Sequence, residues 1–373
     1  MKFSINQQEL ANAINVVSKG ASTRSTLPIL SGILLRAQDE TIVLEATNLD
    51  LSIRYRAAAF VEEEGETVIP SKLFLDVVKS LPNSAVHFEA NDESATLLCE
   101  TSSFSLRTLM AEDFPGFPDV TPDTSISIPY ELFVDMSKRV SRVVSRDESR
   151  PILTGVLVQC EGDLLRMVAT DSYRLAFTET RLEAPGSDFS AVVAGAFLNN
   201  VASVPAGQAL IDFGVTENQI VVRCGATTFV NRRIEGSFPR YAQLLPDACE
   251  TKAIFDTKLL SDAVKRVSLL TDKTNPVKFD LNVASQTTQI STSSQDVGAA
   301  SETLGSDIDG EDTVIGFNPT YVIDGLSSVF TPQITLELQS SVRPGILKTD
   351  TYYGPAEVGK ERFAYVIMPV RLA

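Results

Sequence analysis

Residues 150–177 read RPILTGVLVQCEGDLLRMVATDSYRLAF, and the elements that begin and end this stretch occur twice in the chain. The earlier occurrence is PILSG at residues 28–32, followed by EATN at residues 45–48. Pro28 and Pro151 are 123 positions apart (151 − 28), and so are Thr47 and Thr170 (170 − 47). Two anchors at one offset, with no gap between them, indicate internal duplication.

The duplication extends along the whole chain of 373 residues. TVIP at 67–70 corresponds to AVVA at 191–194, and DFPGF at 113–117 corresponds to SFPRY at 237–241, both at an offset of 124. The last third diverges further but keeps the same order of elements. The sequence therefore predicts three domains, at residues 1–125, 126–250 and 251–373, each built from two similar half-units. Half-units of about 60 residues would be marginal alone, so we expect them to pair around one core.

Periodic patterns define the fold class. Apolar residues recur at helical spacing near the start of each copy, over residues 7–17, 131–146 and 255–270. A second helix is predicted in each copy, at 72–80, 197–204 and 321–330, and short alternating segments such as 49–57 are typical of half-buried strands. The pattern predicts an α+β protein of three tandem copies.

Composition restricts the functional class. A hydrophobic content of 43% with 21% charged residues is typical of a folded globular chain, and we find no apolar run long enough for a membrane helix. The N-terminus lacks the features of a signal peptide, so we expect a cytoplasmic protein without a membrane partner. Cys99, Cys160, Cys224 and Cys249 have neither CxxC spacing nor histidines nearby, and are interpreted as small buried apolar residues.

Catalytic signatures are weak. The single histidine, His87, lies in a strand-like segment without a nucleophile beside it, and Ser172 has no base positioned against it. Phosphate-binding loops, dinucleotide fingerprints and zinc-protease motifs are also missing from the sequence. We therefore predict no catalytic residues, no metal and no cofactor. An enzyme acting on a small molecule near Asp171 and Ser172 is the least supported alternative.

The distribution of charge is more informative than its sum. The chain carries 32 basic and 48 acidic residues, a net charge of −16, which on average repels nucleic acid. Lys138, Arg142 and Arg146 nevertheless recur at every fourth position of a predicted helix, with Arg139 beside them, and the corresponding helix of the third copy carries Lys265. Such a stripe is usually a solvated face, but its recurrence on equivalent helices favours DNA binding. Likewise, the apolar residues around Tyr173 and the uncharged run ending Met368-Pro369-Val370 indicate either ordinary core or a groove for a partner's peptide.

Five segments carry a resemblance to a known family. They are TLPIL (26–30), ATD with YRLA (169–171 and 173–176), SFP with Tyr241, GFN with Tyr321, and the C-terminal YVIMPVRL (365–372). The chain resembles the bacterial β sliding clamp, the processivity factor of the replicative DNA polymerase, over its whole length. This resemblance implies a head-to-tail homodimer that forms a ring, with helices lining a central hole around duplex DNA and sheets outside. It also implies binding of the polymerase catalytic subunit, the clamp loader and other proteins with clamp-binding motifs.

The resemblance implies roles for particular residues. Those expected to contact DNA are Arg24, Lys138, Arg142, Arg146, Arg150, Lys265 and Lys273. Those expected to form a partner-peptide cleft are Leu153, Thr170, Ser172, Tyr173, Arg174, Leu175, Pro239, Leu244, Asn318, Tyr321, Val342, Arg343, Val366, Met368, Pro369 and Arg371. Those expected at the dimer interface are Lys72, Phe104, Leu106, Leu269 and Leu270. Many family members carry Gly-His where this chain has Ser172-Tyr173, so the cleft entrance is expected to differ. The main alternative is a repeat-built scaffold that does not touch DNA.

Overall fold

A computed structural model describes residues 1–22, 26–205, 209–245, 249–271 and 275–372. In the first third of the chain it contains nine strands and two helices: β1 (Lys2–Asn6), α1 (Gln7–Val17), β2 (Gly32–Gln38), β3 (Thr41–Thr47), β4 (Leu51–Ala58), β5 (Phe60–Glu63), β6 (Gly65–Pro70), α2 (Ser71–Ser80), β7 (Ala85–Ala90), β8 (Ser94–Cys99) and β9 (Ser102–Arg107). The Asn6 side chain caps α1 by accepting a hydrogen bond of 2.9 Å from the Gln8 amide. The helix predicted over 7–17 is confirmed, and it buries Leu10, Ile14 and Val17 as expected.

The second third follows the same plan: β10 (Thr124–Pro129), α3 (Tyr130–Val140), β11 (Gly155–Glu161), β12 (Leu164–Thr170), β13 (Arg174–Arg181), β14 (Phe189–Ala194), α4 (Gly195–Val201), β15 (Leu210–Val215), β16 (Gln219–Cys224) and β17 (Thr227–Arg232). The predicted helix over 131–146 was too long, because α3 ends at Val140. Val143 and Val144 are β-branched and favour helix weakly. The Ser145 amide then bonds the Leu153 carbonyl at 2.7 Å, which directs the chain away from the helix axis.

The last third contains β18 (Thr251–Asp256), α5 (Thr257–Ser268), β19 (Val277–Asn282), β20 (Thr287–Ser294), β21 (Gly298–Gly305), β22 (Asp307–Asp309), β23 (Thr313–Phe317), α6 (Pro319–Leu326), β24 (Gln333–Leu338), β25 (Gly345–Lys348) and β26 (Arg362–Ile367). The side chain of Asp256 caps α5, and that of Asn318 caps α6. None of the helices in these described ranges is long and apolar enough to span a membrane.

The described residues divide into two compact units that cut across the sequence repeats. Unit 1 comprises Met1–Phe133 and Ala196–Arg233, and unit 2 comprises Val134–Gly195 and Ile234–Ala373. Unit 1 contains a five-stranded sheet, β5-β1-β7-β8-β9, and an eight-stranded sheet, β10-β15-β16-β17-β4-β3-β2-β6. Unit 2 contains a nine-stranded sheet, β14-β11-β12-β13-β26-β25-β24-β18-β22, and a four-stranded sheet, β21-β20-β19-β23. Each long sheet therefore takes its strands from two successive copies.

Two antiparallel ladders join the copies within these sheets. In unit 1, β4 pairs with β17, with Ser52 opposite Val230. In unit 2, β13 pairs with β26, with Leu175 opposite Val366. Leu175 is offset from Ser52 by 123 positions (175 − 52), so corresponding residues of the first and second copies form one side of each ladder.

The nine-stranded sheet of unit 2 is covered on both faces. On one face α6 approaches so closely that a Cβ added at Gly325 would lie 2.6 Å from the Tyr365 ring. Neighbouring residues of a strand point to opposite faces, so Val366 faces the other way. It lies in a core cluster with Leu175 and Phe177. Phe238 and Tyr241, from the 234–245 connector between β17 and β18, pack against this cluster.

The repeated PILS and PILT segments, Pro28–Ser31 and Pro151–Thr154, are single 3₁₀ turns that precede β2 and β11. Their last hydroxyl closes the turn on the proline carbonyl, at 2.7 Å in both copies. The expected burial of the cysteines is right for Cys99, Cys160 and Cys224 and wrong for Cys249, which is exposed.

Close packing at the start of β11 generates a stability prediction. A Cβ on Gly155 would lie 2.4 Å from Val192 Cγ1 and 2.9 Å from Ile234 Cδ1, whereas one on Gly116 would meet nothing within 4 Å. We expect Gly155→Ala to lower the free energy of unfolding by about 1–3 kcal/mol, because β-branched neighbours cannot move aside cheaply. Gly116→Ala is the matched control and should leave the thermal unfolding midpoint unchanged. Equal midpoints for both variants would contradict the packing argument.

Candidate functional site: an apolar cleft beside the β12–β13 turn

The turn between β12 and β13 is fixed by its own side chains. Thr170 Oγ1 donates to the Arg174 carbonyl at 2.7 Å and accepts from the Ser172 amide at 3.2 Å. Asp171 Oδ1 accepts from the amides of Tyr173 at 2.9 Å and Arg174 at 3.1 Å, which is an Asx-turn. Ser172 has a φ of 81°, in the left-handed region that side chains rarely adopt.

The first copy forms the same turn. The Leu49 amide bonds Thr47 Oγ1 at 3.0 Å, and Asn48 Oδ1 accepts from the amides of Asp50 at 3.0 Å and Leu51 at 2.8 Å. Leu49, which corresponds to Ser172, also has a positive φ of 78°. The backbone of this turn is therefore shared scaffold, and only its side chains distinguish the two copies.

Arg174 is a buried hub beside the turn. Its guanidinium donates to Asp171 Oδ2 at 2.9 Å and to Asp324 Oδ2 at 2.6 Å. It also donates to the Tyr365 hydroxyl and to the Arg142 carbonyl, each at 3.2 Å. Its side chain is only 9% exposed, and four of its five N–H groups are bonded within the protein.

The electrostatics of this hub favour a permanently charged arginine. Burial alone would lower the pKa of Arg174, but its interactions with Tyr365, Asp324 and Asp171 outweigh burial and raise it. Burial has the opposite effect on the Tyr365 phenol, whose pKa it raises, and the neighbouring Arg174 only partly offsets that rise. Tyr365 therefore stays a neutral donor, and its hydroxyl bonds the Tyr321 carbonyl at 2.9 Å. The hub thus connects β13, β26 and α6.

Two tyrosines stand at the edge of the hub. The rings of Tyr173 and Tyr321 are roughly parallel, with centroids 6.4 Å apart, and the Arg174 guanidinium lies 4.4 Å from the Tyr321 ring centroid. Tyr173 is 59% exposed. An exposed aromatic side chain beside an apolar pocket is a typical contact for a partner.

A small, predominantly apolar cavity of about 90 Å³ opens beside these residues. It is lined by Thr170, Ser172, Arg174, Leu175, Pro239, Leu244, Val366 and Met368. All eight belong to the set that the resemblance implied for a partner cleft. The structure thus brings together residues from β12, β13, the 234–245 connector and the C-terminal segment.

The other expected cleft residues are not among those that line the cavity. Leu153 is buried, Asn318 and Tyr321 begin α6, and Val342 is exposed. Arg343 lines a separate, more polar cavity with Cys249 and Glu250. Pro369 and Arg371 belong to a C-terminal segment held by two backbone bonds, from the Met368 amide to the Tyr173 carbonyl at 2.9 Å and from the Val370 amide to the Gly316 carbonyl at 2.8 Å.

The residues expected to contact DNA are placed as follows. Lys138, Arg142, Arg146, Arg150 and Lys265 are exposed, and Lys138 and Lys265 lie on α3 and α5. Arg142 and Arg146 follow the end of α3, so they do not extend a helical stripe. Arg24 and Lys273 lie outside the described residues.

Arg139 corrects the predicted stripe more directly, because it is buried. It forms an ion pair of 2.5 Å with Glu361, whose side chain is 10% exposed, and donates to the Ser328 carbonyl at 2.8 Å. Its guanidinium also lies 4.4 Å from the Phe330 ring centroid. Its partners are far away in sequence, so helical periodicity alone could not separate it from the exposed cations.

The residues expected at a dimer interface differ in exposure. Lys72 and Leu269 are exposed, Leu269 by 78%. Phe104 and Leu270 are half-buried, and Leu106 is 6% exposed within its own subunit. Phe104 and Leu106 lie on β9, and Leu269 and Leu270 directly follow α5.

The supports of Arg174 are the part of the site that the sequence did not reveal. Asp324 and Tyr365 were not among the expected cleft residues, although both bond Arg174 directly. Tyr365 stands in a strand of apolar residues, where a hydroxyl that needs a partner is the available signal. Nothing in the local sequence names that partner, which lies 191 positions away.

Comparison with known proteins identifies the family of the chain. Residues 1–118, 127–240 and 242–371 match the N-terminal, central and C-terminal domains of the DNA polymerase III beta subunit. The chain is 31% identical to the beta sliding clamp of Streptomyces coelicolor and 30% identical to that of Bacillus subtilis, with full coverage of both chains in each case.

Solved structures give the same result. The Bacillus subtilis DNA polymerase sliding clamp superimposes with a TM-score of 0.91 at 29% identity, covering all of both chains. A sliding clamp from Pseudomonas aeruginosa bound to griselimycin gives a TM-score of 0.90 at 26% identity, again over both full chains. The fold is therefore a clamp fold, an α+β architecture of three tandem copies, as the repeat predicted. The chain belongs to the DNA polymerase III beta subunit family, the beta sliding clamps.

The hub yields a prediction about stability. Replacing Arg174 with Ala should lower the free energy of unfolding by about 3 kcal/mol, because Asp171 and Asp324 lose their cation in a partly buried setting. The free energy of unfolding of Arg174→Lys should lie between those of the wild type and Arg174→Ala. The lysine ammonium keeps the charge but cannot reproduce the planar guanidinium, which bonds several partners at once. Thermal unfolding of the wild type, Arg174→Ala and Arg174→Lys measures these differences in stability. The exposed Arg240 provides the control, because Arg240→Ala should leave the thermal unfolding midpoint unchanged. An equal loss of stability in Arg174→Ala and Arg240→Ala would disprove the assignment of Arg174 as a hub.

Proposed function

We propose that two copies of this chain close head to tail into a ring around duplex DNA. In this proposal the ring tethers the replicative polymerase, the clamp loader and other clamp-binding proteins through one cleft per subunit. The observation that carries it is the apolar cavity beside the β12–β13 turn, in a chain that belongs to the beta sliding clamps. Retention on DNA would be topological, so direct affinity for DNA can remain low.

The character of the cleft supports binding of a short apolar peptide segment. Leu175, Val366 and Met368 line the cavity, while Tyr173 stands exposed beside it. The polar groups nearby are largely satisfied internally, because four of the five N–H groups of Arg174 are bonded to its own partners. Recognition would therefore depend on apolar contact and shape, with Pro239 and Leu244 also lining the cavity and Asn318, Tyr321, Pro369 and Arg371 extending the surface.

The placement of cations supports non-specific contact with phosphates. Lys138, Arg142, Arg146 and Lys265 are exposed in a chain of net charge −16. Cations of this kind neutralise phosphates without reading bases. Arg24 and Lys273 are part of the same proposal through the family resemblance.

The edges of two sheets support a dimer. Within the described ranges, β9 ends the five-stranded sheet of unit 1 and β21 ends the four-stranded sheet of unit 2. A strand at an edge presents backbone groups that can pair with another chain. We propose that β9 of one subunit meets β21 of the next, with Lys72, Phe104, Leu106, Leu269 and Leu270 at the junction.

A non-catalytic role is part of the proposal. His87 Nδ1 lies 2.8 Å from Ser4 Oγ, but the two residues are exposed cross-strand neighbours on β1 and β7. The Ser172 hydroxyl accepts a hydrogen bond from Arg150, so its bonded neighbour is a cation and not a base. We further propose domain limits of 1–125, 126–250 and 251–373 and a cytoplasmic location, where chromosomal DNA is accessible.

Topological retention is directly testable. Clamp loaded onto a closed circular duplex by its clamp loader should remain bound at about 0.2 M salt, a concentration at which contacts to phosphates alone are strongly weakened. Cutting the circle once with a restriction enzyme should release it, because a ring can slide off a free end. Gel filtration of the DNA before and after cutting measures the retained fraction. Equal retention on the circle and on the linear DNA would rule out encirclement.

The C-terminal segment gives a second test of the cleft. A chain ending at Ile367 loses Met368 from the cavity lining and the backbone bond to Tyr173. We expect its affinity for a clamp-binding peptide of the polymerase to fall more than about tenfold, as expected for the loss of one buried apolar contact and its pocket. The dimer should persist in sedimentation analysis, since the proposed interface lies elsewhere.

The control is a chain that lacks Ala373 alone, which should bind the peptide as the full chain does. Unchanged peptide affinity in the longer truncation would place the cleft elsewhere.

A further inference from the structure

Arg150 is bonded to the cleft turn, although the family resemblance grouped it with the residues that contact DNA. Its guanidinium nitrogen Nη1 lies 3.2 Å from Ser172 Oγ, and Ser172 lines the apolar cavity. Its Nε forms an ion pair of 3.3 Å with Asp147. The side chain therefore spans from the 147–150 loop to the turn that forms one wall of the cleft.

The loop that carries Arg150 is itself organised. Asp147 Oδ1 accepts hydrogen bonds from the Ser149 amide at 3.0 Å and from the Ser149 hydroxyl at 2.6 Å. The Arg150 amide bonds the Asp147 carbonyl at 3.2 Å. Asp147 thus orients the arginine from a defined turn, and the arginine reaches the cleft in a restricted geometry.

The first copy shows whether the Arg150–Ser172 bond is needed to form the turn, because its corresponding turn lacks that bond. The residues that correspond to Arg150 and Ser172 in the first copy are Leu27 and Leu49, at an offset of 123 positions, and both are 53% exposed. The first copy nevertheless forms the same turn, with the same positive φ, from its threonine and asparagine alone. The Arg150–Ser172 bond is therefore not needed to fold the turn. It is an addition in the copy whose turn lines a cavity.

We infer that Arg150 is a positioning residue of the partner cleft, which holds the Ser172 wall through its hydrogen bond and thereby favours the peptide-binding geometry. This inference rests on the proposed function, because it assumes that the cavity receives a peptide. Arg150 acts through Ser172 and need not touch the peptide. A preorganised wall raises affinity because less conformational freedom is lost on binding.

A double-mutant cycle tests the inference. The probe is a fluorescent clamp-binding peptide of the polymerase, with any Asp or Glu replaced by Asn or Gln so that it offers no carboxylate to Arg150. Anisotropy titrations compare the wild-type chain with Arg150→Ala, Ser172→Ala and the double variant. Removing either end of one hydrogen bond should weaken binding about three- to tenfold, the range for one net hydrogen bond. The double variant should bind no more weakly than the weaker single variant, because both changes remove the same interaction.

Two further variants separate this role from general effects of charge or folding. Arg223→Ala removes an exposed arginine that belongs neither to the cleft nor to the proposed DNA contacts, and should change peptide affinity by less than about twofold, the change expected for a surface residue. Arg150→Lys keeps the cation and a donor, and should restore part of the lost affinity. Thermal unfolding midpoints of all variants should match the wild type, as the first copy folds its turn without this bond.

The outcomes are distinguishable. Additive losses in the double variant would show that Arg150 contacts the peptide directly and would overturn the inference, and so would full affinity in Arg150→Ala. In both cases wild-type binding would leave the proposed cleft standing. If the wild-type chain does not bind the peptide, the proposed cleft and the role of Arg150 fall together.

Discussion

The backbone ladder between β13 and β26 is the interaction on which the site depends. It pairs Arg174 with Ile367 and Leu175 with Val366, and so joins the second and third sequence copies into one sheet. A half-unit of about 60 residues buries little enough surface that its stability alone would be marginal. Sharing a sheet solves this problem, and it also places the end of β26 beside the β12–β13 turn. The cleft is thus a consequence of how the copies are joined.

The equivalent ladder between β4 and β17 shows what the join alone provides. There the Arg232 amide bonds the Asp50 carbonyl at 3.1 Å, just as the Met368 amide bonds the Tyr173 carbonyl at 2.9 Å. Backbone geometry is therefore conserved within the chain, whereas the side chains are not. Asp50 and Arg232 are charged and exposed where Tyr173 and Met368 are apolar. An exposed charge is costly to desolvate, so the first junction is poorly suited to an apolar peptide.

The sequence was most informative where it repeats and least informative where distant residues meet. The offset of 123 positions predicted three copies, and α1 has the predicted bounds because its stripe of Leu10, Ile14 and Val17 is a local property. Eight of the expected cleft residues line one cavity, because the family resemblance supplied long-range information. Arg139 was misassigned for the opposite reason.

Arg139 occupies a position that periodicity makes exposed, yet Glu361 and Phe330 cover it from more than 190 positions away (330 − 139 = 191). The hub around Arg174 was not predicted for the same reason, since Asp324 and Tyr365 come into contact with Arg174 only in the folded protein. The end of α3 was missed because a periodic pattern does not record where the backbone turns away. Helical spacing continued through Arg142 and Arg146, but the Ser145–Leu153 bond interrupts the helix.

The size of the cavity and the proposed ring have complementary consequences. A cavity of about 90 Å³ accommodates little more than one apolar side chain, and burying such a group contributes about 1.5–3 kcal/mol. That corresponds to roughly one or two orders of magnitude in affinity, so the cleft by itself favours exchangeable partners. A clamp that relied on tight binding at every contact could neither slide nor exchange the proteins it carries. Topological retention removes the need for tight contact with DNA, and a tethered partner gains effective concentration without new contacts. A weak cleft on a closed ring is therefore sufficient. Residues that preorganise the walls of the cleft can adjust its affinity without adding contacts to the partner.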